Sequence, residues 1–568
     1  MLNRRTFIKG SAMTMVVLST PHIALGDAPK VPTIYTGGPI LTMNAKNEMV
    51  EALAVEGGKI LAAGRLVDVK AAAGEKAKIV DLQGKTLLPG FIDGHSHFVK
   101  GGQEALSTVP LGSPPMGKIT CIADMQEALR ARAAVTPEGQ RIDGSRYNDM
   151  ELKERRHPTR EELDAVSTKH PIIITHISGH VGVANSKAFE MAGVTAQTKP
   201  KEGVLRVKDG KLTGVMEGRS QNEVKNVIPV EKVDIAKCMA YDSNEYASNG
   251  VTTANNGGSP TVDDYLISGS NNDELKIRVV IWPAGMNKEL IASYGDKRSG
   301  ALLDAKGRVI LGAAKLFADG SPQGYTALFS KPYYKQLTGK PADYRGFSYF
   351  PSPEVRFGRV KELHDAGWQI ATHTNGDQAI QDMIDAYGAA IKANKRADSR
   401  HILNHCQFNR PDQVPVIADL ELIPSYFVTH TFFWGDTHRH YVAGPEMAAH
   451  ISPCAAALKH GIQFALHNDT PVTPISPLMD VYSAVTRLTS SGFVLGEDQR
   501  ISVMDALRGV TINAARMYFL EDKIGSLEPG KLADMVILEK NPLDVAPETI
   551  KDIKVVETIV EGETVYKA

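Results

Sequence analysis

The chain has 568 residues, 42% hydrophobic and 23% charged, the composition of a folded protein long enough to bury a large core. A formal charge of −1 gives no electrostatic reason to expect nucleic acid or an anionic membrane as partner. Cys121, Cys238, Cys406 and Cys454 are scattered with no CxxC pair, so they read as buried free thiols and no disulfide pairing is deducible.

Residues 3–10 read NRRTFIKG and lead into an apolar run over 12–18 and small residues through 24–26. Paired arginines, a short apolar segment and a small-residue end predict a twin-arginine export signal over residues 1–26, too short to span a membrane. Periplasmic localisation follows, for a protein exported already folded. Removing the signal takes Arg4, Arg5 and Lys9 and no acid, which leaves a weakly acidic mature chain.

Residues 34–63 alternate apolar and polar positions around Gly and Asn turns, predicting short antiparallel strands. The far end repeats the style in DMVIL (534–538) and VVETIVEGETVY (555–566), with a hairpin about Glu561-Gly562-Glu563. Neither end has enough strands for a sheet of its own. They are expected to pair as a composite β-sandwich from residues 27–88 and 523–568.

Between them, Pro89-Gly90 turns the chain into a short buried strand at 91–92, after which come His95 and His97. Positions i and i+2 of an extended segment share a face, so the two imidazoles can bind one cation. Helix-like and strand-like segments then alternate: strands at 171–177, 250–255, 276–282, 312–320, 368–377, 399–406, 421–427 and 461–469, and helices near 122–134, 232–249, 353–366 and 378–392. Repeated βα units with apolar strands predict an α/β fold, a (β/α)8 TIM barrel over 89–522. Residues 100–249 are too long for one unit and are expected to form a lid insertion over the barrel mouth.

Active groups of such a barrel sit at C-terminal strand ends, where His95, His97, Lys315, His373, His405 and Asp469 fall in turn. Any one histidine after an apolar strand is ordinarily a hydrogen-bonded structural residue. Five ionisable strand ends plus Lys315, each set on an apolar run, form a pattern that chance does not readily supply. Four imidazoles and a carboxylate suit Zn²⁺ or a similar divalent ion.

The strings LLPGFIDGHSH, GVTTAN, KLFADGS, HTNGDQAI, NHCQ and HNDTPV, in this order, resemble the amidohydrolase superfamily, in particular its YtcJ-like amidohydrolase-3 branch, over nearly the whole mature chain. The resemblance implies that His95 and His97 hold the more buried metal, that His373 and His405 hold the second, and that Asp469 binds metal and shuttles the proton. It implies a carboxylated Lys315 as bridging ligand, with Glu217 in LTGVMEGRS as the rival, and one or two ions with zinc the expected metal. Residues 426–440, YFVTHTFFWGDTHRH, resemble the N-substituted formamide deformylase group of that branch. That implies an aromatic substrate pocket with Trp434, Asp436 and His440, with His430 polarising the carbonyl and with His176 and His180 of the lid near the substrate.

The expected function is metal-dependent hydrolysis of a non-peptide C–N bond, that of a small-molecule N-substituted amide or formamide, by a metal-activated hydroxide. Asp469 would pass the proton to the leaving nitrogen, because an amide nitrogen leaves poorly unless protonated. The enzymatic alternative is a deaminase or a cyclic amidine or imide hydrolase. The non-enzymatic one is a periplasmic metal or small-molecule binding protein, which would not require the proton shuttle. A homo-oligomer is allowed, and the sequence sets no oligomeric state.

Overall fold

The computed structural model describes residues 31–568 apart from 178, 180, 202, 231–232, 259–262, 273 and 338–339; the expected export signal lies outside the described residues. The alternating N-terminal stretch forms β1 (Thr33–Leu41), β2 (Met49–Glu56), β3 (Lys59–Gly64), β4 (Lys78–Asp81) and β5 (Thr86–Pro89). Directly after Gly90 comes β6 (Phe91–Ile92), which leads to His95 and His97.

Residues 100–249 carry a sheet of their own, from β7 (Thr108–Pro110), β8 (Ile142–Tyr147), β9 (Ile172–His176), β10 (Val181–Ala184), β11 (Val204–Lys208) and β12 (Lys211–Glu217), in the order β11-β12-β10-β9-β8-β7. Only the strand at 171–177 is legible in the sequence here. Gly144 and Gly182 break the alternation of β8 and β10, each at a place where a Cβ would press on a neighbour, Leu111 for one and Gln221 for the other.

The chain then returns to β13 (Val251–Gly257), β14 (Arg278–Trp282) and β15 (Val309–Leu311), which with β6 make a parallel sheet ordered β15-β14-β13-β6. A second parallel sheet follows in chain order: β16 (Ala314–Phe317), β17 (Ile370–Thr374), β18 (Ile402–His405), β19 (Ile423–Tyr426) and β20 (Ala465–Leu466). Backbone bonds join the two sheets at both ends. Lys315 N–H donates to Pro283 O at 2.8 Å, and Gly94 N–H to Leu466 O at 3.2 Å. Strands buried on both faces account for the apolar runs. The helix Asp377–Ala393 buries Ile380, Met383, Ile384 and Tyr387, spaced as one helical face.

The expected strand at 461–469 is reduced to β20. At one end Gly461 and Ile462 complete the cap of the helix Cys454–Lys459; at the other, Asn468 bonds the backbone of Ser476 and Asp469 turns to φ 53°. The strand expected at 312–320 stops at Phe317, because the Asp319 carboxylate accepts backbone N–H bonds from Leu328, Asn375 and Gly376 and ties the chain into a loop.

The C-terminus supplies β21 (Met535–Leu538), β22 (Val555–Val560) and β23 (Glu563–Lys567). They join the N-terminal strands in one eight-stranded sheet, ordered β23-β22-β21-β5-β1-β2-β3, with β4 beside β1. The seam is antiparallel, with Met535 opposite Pro89 and Leu538 opposite Thr86. The β22–β23 hairpin turns on Glu561 and Gly562, both at positive φ as a two-residue turn of this hand requires. All four cysteines are free; Cys238, Cys406 and Cys454 are buried, whereas Cys121 is partly exposed. Among the described residues no helix is long and apolar enough to cross a membrane.

Arg278 on β14 ties the parallel sheet to this terminal sheet. Its buried guanidinium pairs with Asp534, beside β21, and with Glu561 of the hairpin. Arg278→Met would leave Asp534 as a buried, unpaired charge. It should destabilise the protein by about 3–5 kcal/mol in chemical denaturation, and adding Asp534→Leu should restore most of the loss. A single variant as stable as wild type would show that the pair contributes nothing.

Candidate active site at the strand ends

The C-terminal ends of the parallel strands surround a cavity of about 440 Å³ whose lining includes His95, His97, His373, His405, His430 and Asp469. His95, after β6, is fixed most tightly. Its Nδ1 lies 2.8 Å from Asn255 Oδ1, and the Asn255 amide in turn donates to Val280 O at 2.9 Å. That second bond orients the amide, so Nδ1 of His95 carries the proton and Nε2 presents a lone pair. The ring stacks on Trp282 at 5.0 Å and lies against Gly257, where any Cβ would overlap it.

Two groups converge on this Nε2. Asp469 Oδ1 is 3.4 Å from it and 3.3 Å from His97 Nε2, and Lys315 Nζ is 3.3 Å away. Lys315, the second residue of β16, is 1% exposed and sits over the Trp282 ring at 5.1 Å. His373 and His405 face each other with ring centroids 4.4 Å apart, and His405 lies 5.3 Å from His95. Asn404 donates to His405 Nε2 at 3.0 Å; His373 Nε2 lies 2.9 Å from the Asn375 amide and 3.1 Å from Gly320 O. His405 and Asp469 both hold left-handed φ, 68° and 53°, conformations that cost about 1–3 kcal/mol and persist where the surroundings enforce them.

Burial dominates the electrostatics. It drives His95 and His405 well below the ordinary histidine value, helped by the Lys315 charge and neighbouring imidazoles, and lowers His373 to about 4. Burial also lowers the Lys315 amine to about 7, with Asp469 pulling the other way. On Asp469 burial acts upward, but a hydrogen bond from the adjoining His97, with the electrostatic influence of His467 and Lys315, outweighs it and keeps the carboxyl below its ordinary range. The cluster is therefore rich in acceptors: the unprotonated imidazoles of His95, His373 and His405 around an ionised carboxylate.

Such a donor set fits a divalent ion. One ligand atom each from His95, His405 and Asp469 lies within 4.8 Å of the others. The Asp469 edges of 3.3 and 3.4 Å match the ~3.4 Å donor separation of a tetrahedral site with bonds of about 2.1 Å. His405 Nδ1 and Asp469 Oδ1 are buried with no hydrogen-bond partner among the described residues.

Other expected residues fall elsewhere. Glu217 pairs with Arg206 on the inserted sheet, so Lys315 alone of the two candidate bridging groups stands in the cluster. His430 does line the cavity, but residues 430–437 form a helix rather than an open aromatic loop. Trp434 consequently packs one turn behind His430 at 4.5 Å, outside the lining; Asp436 accepts from Ser491, and His440 is exposed. The aromatic wall comes instead from Phe317, Tyr349, Phe350 and Phe427. His176 is held by Asp149 at 3.1 Å on the inserted sheet and is not in the cavity lining, while its neighbour Ile177 is; His180 lies outside the described residues.

Sequence reasoning missed Asn255, Trp282, His438 and His467. His438 bonds His430 Nδ1 at 2.8 Å, and the buried His467 ring lies 5.4 Å from His95 and 5.1 Å from His405. The i, i+2 argument that singled out His95 and His97 applies equally to His467 and Asp469.

Parallel strands ending in a buried His/Asp cluster define a metal-dependent hydrolase. The profile of the amidohydrolase family matches residues 78–566, and the chain belongs to that family, as a hydrolase of carbon–nitrogen bonds other than peptide bonds. It is 25% identical to an N-substituted formamide deformylase of Arthrobacter pascens, over 93% of this chain and 97% of that protein. It is 29% identical to the protein LONG AFTER FAR-RED 3 of Arabidopsis thaliana, over 94% and 91%. Among solved structures, an uncharacterized metal-dependent hydrolase from Pyrococcus horikoshii superposes with a TM-score of 0.72 at 25% identity, over 91% of this chain and 99% of that one.

The Lys315 amine gives stability a pH signature in chelator-treated protein. The folded chain releases this proton near 7 and an unfolded lysine near 10.5, so between these values the unfolded chain binds more protons and stability rises with pH. Lys315→Met should flatten that rise in denaturant titrations at pH 7 and 9.5. An identical slope in the variant would mean that the amine is not so perturbed.

Proposed function

We propose that this protein hydrolyses the C–N bond of a small N-substituted amide or formamide, with divalent metal, expected to be zinc, held by His95, His97, His373, His405 and Asp469 and by a carboxylated Lys315. The observation that carries the reading is the approach of Asp469 Oδ1 to within 3.3 and 3.4 Å of two imidazole nitrogens. A carboxylate and the lone pair of His95 repel at that distance unless a cation stands between them. An aromatic and aliphatic lining about a polar floor suits a neutral substrate with an apolar nitrogen substituent, and the formamide deformylase relative is consistent with this. The finer architecture belongs to the same reading: the two parallel sheets as arcs of a closed (β/α)8 barrel, the terminal sheet folded as a sandwich around Leu53, Leu87, Met535 and Ile559, the inserted sheet as a lid, and residues 1–26 as a periplasmic export signal.

When bound, a divalent ion lowers the pKa of water to about 7 and polarises a carbonyl. The chain's own residues do the rest. Asp469, kept ionised by its neighbours, accepts the proton of the attacking water and delivers it to the leaving nitrogen. His430, at the cavity wall with its Nδ1 committed to His438, is placed to steady the substrate oxygen. A lysine amine near pKa 7 is substantially neutral at physiological pH, the form that captures carbon dioxide as a carbamate.

Replacing both His95 and His97 by Ala should abolish tight metal retention by elemental analysis while circular dichroism stays native. Asp469→Asn should retain fold and lose about 10²–10⁴-fold in kcat on its best substrate from a panel of formamides, amides and cyclic amidines, with KM little changed. A folded, metal-loaded Asp469→Asn enzyme working at the wild-type rate would refute the proton shuttle, and turnover confined to cyclic amidines would assign deamination instead.

A further inference from the structure

A second, larger cavity of about 630 Å³ adjoins the histidine cavity, and Ile177 lines both. The segment after Asp469 divides them: Asp469 and Val472 line the first, Thr470, Thr473 and Ile475 the second. Helices Lys100–Ser107 and Ile235–Ser248 contribute much of the second wall. They approach closely because Gly101 and Gly102 lack side chains. A Cβ on Gly102 would overlap the Cys238 backbone, and one on Gly101 would lie 2.6 Å from Asp242 Oδ1.

Asp242 and Glu245 stand one turn apart on the second helix, and both line the cavity. Asp242 is 2% exposed, and its Oδ2 has no hydrogen-bond partner among the described residues. The cations in the lining do not answer them: Arg146 is engaged by Glu104 at 2.9 Å, and Lys118 is exposed. A buried carboxylate oxygen without a partner is costly, and burial accordingly pushes Asp242 up to about 7. The rest of the wall is largely apolar, with Ile119, Tyr246 and Ile475.

We propose that this second cavity binds an organic ammonium ion, its N–H groups donating to Asp242 and Glu245 and its apolar substituent lying against Ile119, Tyr246 and Ile475. The backbone N–H groups of Gly102 and Val99 favour the charged form of Asp242 but leave Oδ2 unpartnered, and an ammonium ion satisfies that oxygen better than a neutral ligand can. The source of the ligand rests on the hydrolytic reading above. One water and R–NH–CHO give formate and R–NH₃⁺: the amide C–N bond breaks, the water oxygen bonds to carbon, and the amine leaves protonated, one cavity away from Asp242.

The test is calorimetric titration of the intact protein with hexylammonium, with hexanol as the uncharged control. Wild type should bind the ammonium saturably at one site and hexanol at least tenfold more weakly. Asp242→Asn should weaken ammonium binding about tenfold or more, and Glu245→Gln, at a partly exposed position safe for folding, by a smaller factor in the same direction. Asp469→Asn should bind as wild type does. Equal affinity for hexanol, unchanged binding in both helix variants, or loss confined to Asp469→Asn overturns the proposal. Ammonium binding by a protein that hydrolyses no amide supports this site and refutes the hydrolytic reading. Amide turnover without ammonium binding refutes this site alone. If N-hexylformamide is a substrate, product-amine inhibition that disappears in Asp242→Asn identifies the ligand as product; binding without inhibition identifies an amine from outside the reaction and overturns that source.

Discussion

Two hydrogen-bond acceptors held face to face in a buried site need a cation between them, and that constraint organises the strand ends. Asn255, oriented by Val280 O, keeps the proton of His95 on Nδ1 and leaves the Nε2 lone pair aimed toward Asp469. With burial holding His95, His373 and His405 neutral and the neighbouring groups, against burial, holding the carboxylate ionised, the cluster has electron pairs in excess and the Lys315 amine among its own groups to balance them. That amine is itself pushed toward neutrality. A divalent ion resolves the imbalance at a single point, which is why the acceptor geometry, rather than the number of histidines, carries the functional reading.

The sheets convert that local demand into a rigid site. His95 and His97 follow β6 and Lys315 sits on β16, while His373 and His405 lie at the ends of β17 and β18 and Asp469 just beyond β20, so residues far apart in sequence are fixed by short parallel strands. The left-handed φ angles of His405 and Asp469 mark where the backbone bends to aim those side chains inward. Trp282 supports the cluster from below, stacking on His95 while lying under the Lys315 amine. Arg278, on the same strand as Trp282, binds the opposite end of this scaffold to the terminal sheet through Asp534 and Glu561.

The parallel strands and the ligand candidates were legible because both follow from simple rules: buried strands read as apolar runs, and an ionisable group closing such a run is conspicuous. The β22–β23 hairpin was legible from Glu561-Gly562. The inserted sheet was largely not, because its strands are short, are interrupted by glycines at close contacts, and pair in an order that local pattern does not encode. The stretch 430–440 misled for a related reason. Its aromatic and histidine content is real, but helical spacing turns Trp434 behind His430 and carries Asp436 and His440 away, whereas the cavity's aromatic wall comes from Phe317, Tyr349, Phe350 and Phe427 on distant segments. Asn255, within β13, and His467, just beyond β20, were not legible because their roles come from contacts with His95 and His405 that lie far away in sequence.

The most direct measurement of the central claim is anomalous scattering at the zinc edge from crystals of metal-loaded protein. A peak about 2.0–2.2 Å from Nε2 of both His95 and His97 and within bonding reach of Asp469 is the result this account predicts. A well-ordered, catalytically competent crystal with no anomalous peak for any transition metal in the cluster, or with its metal bound elsewhere, would contradict it.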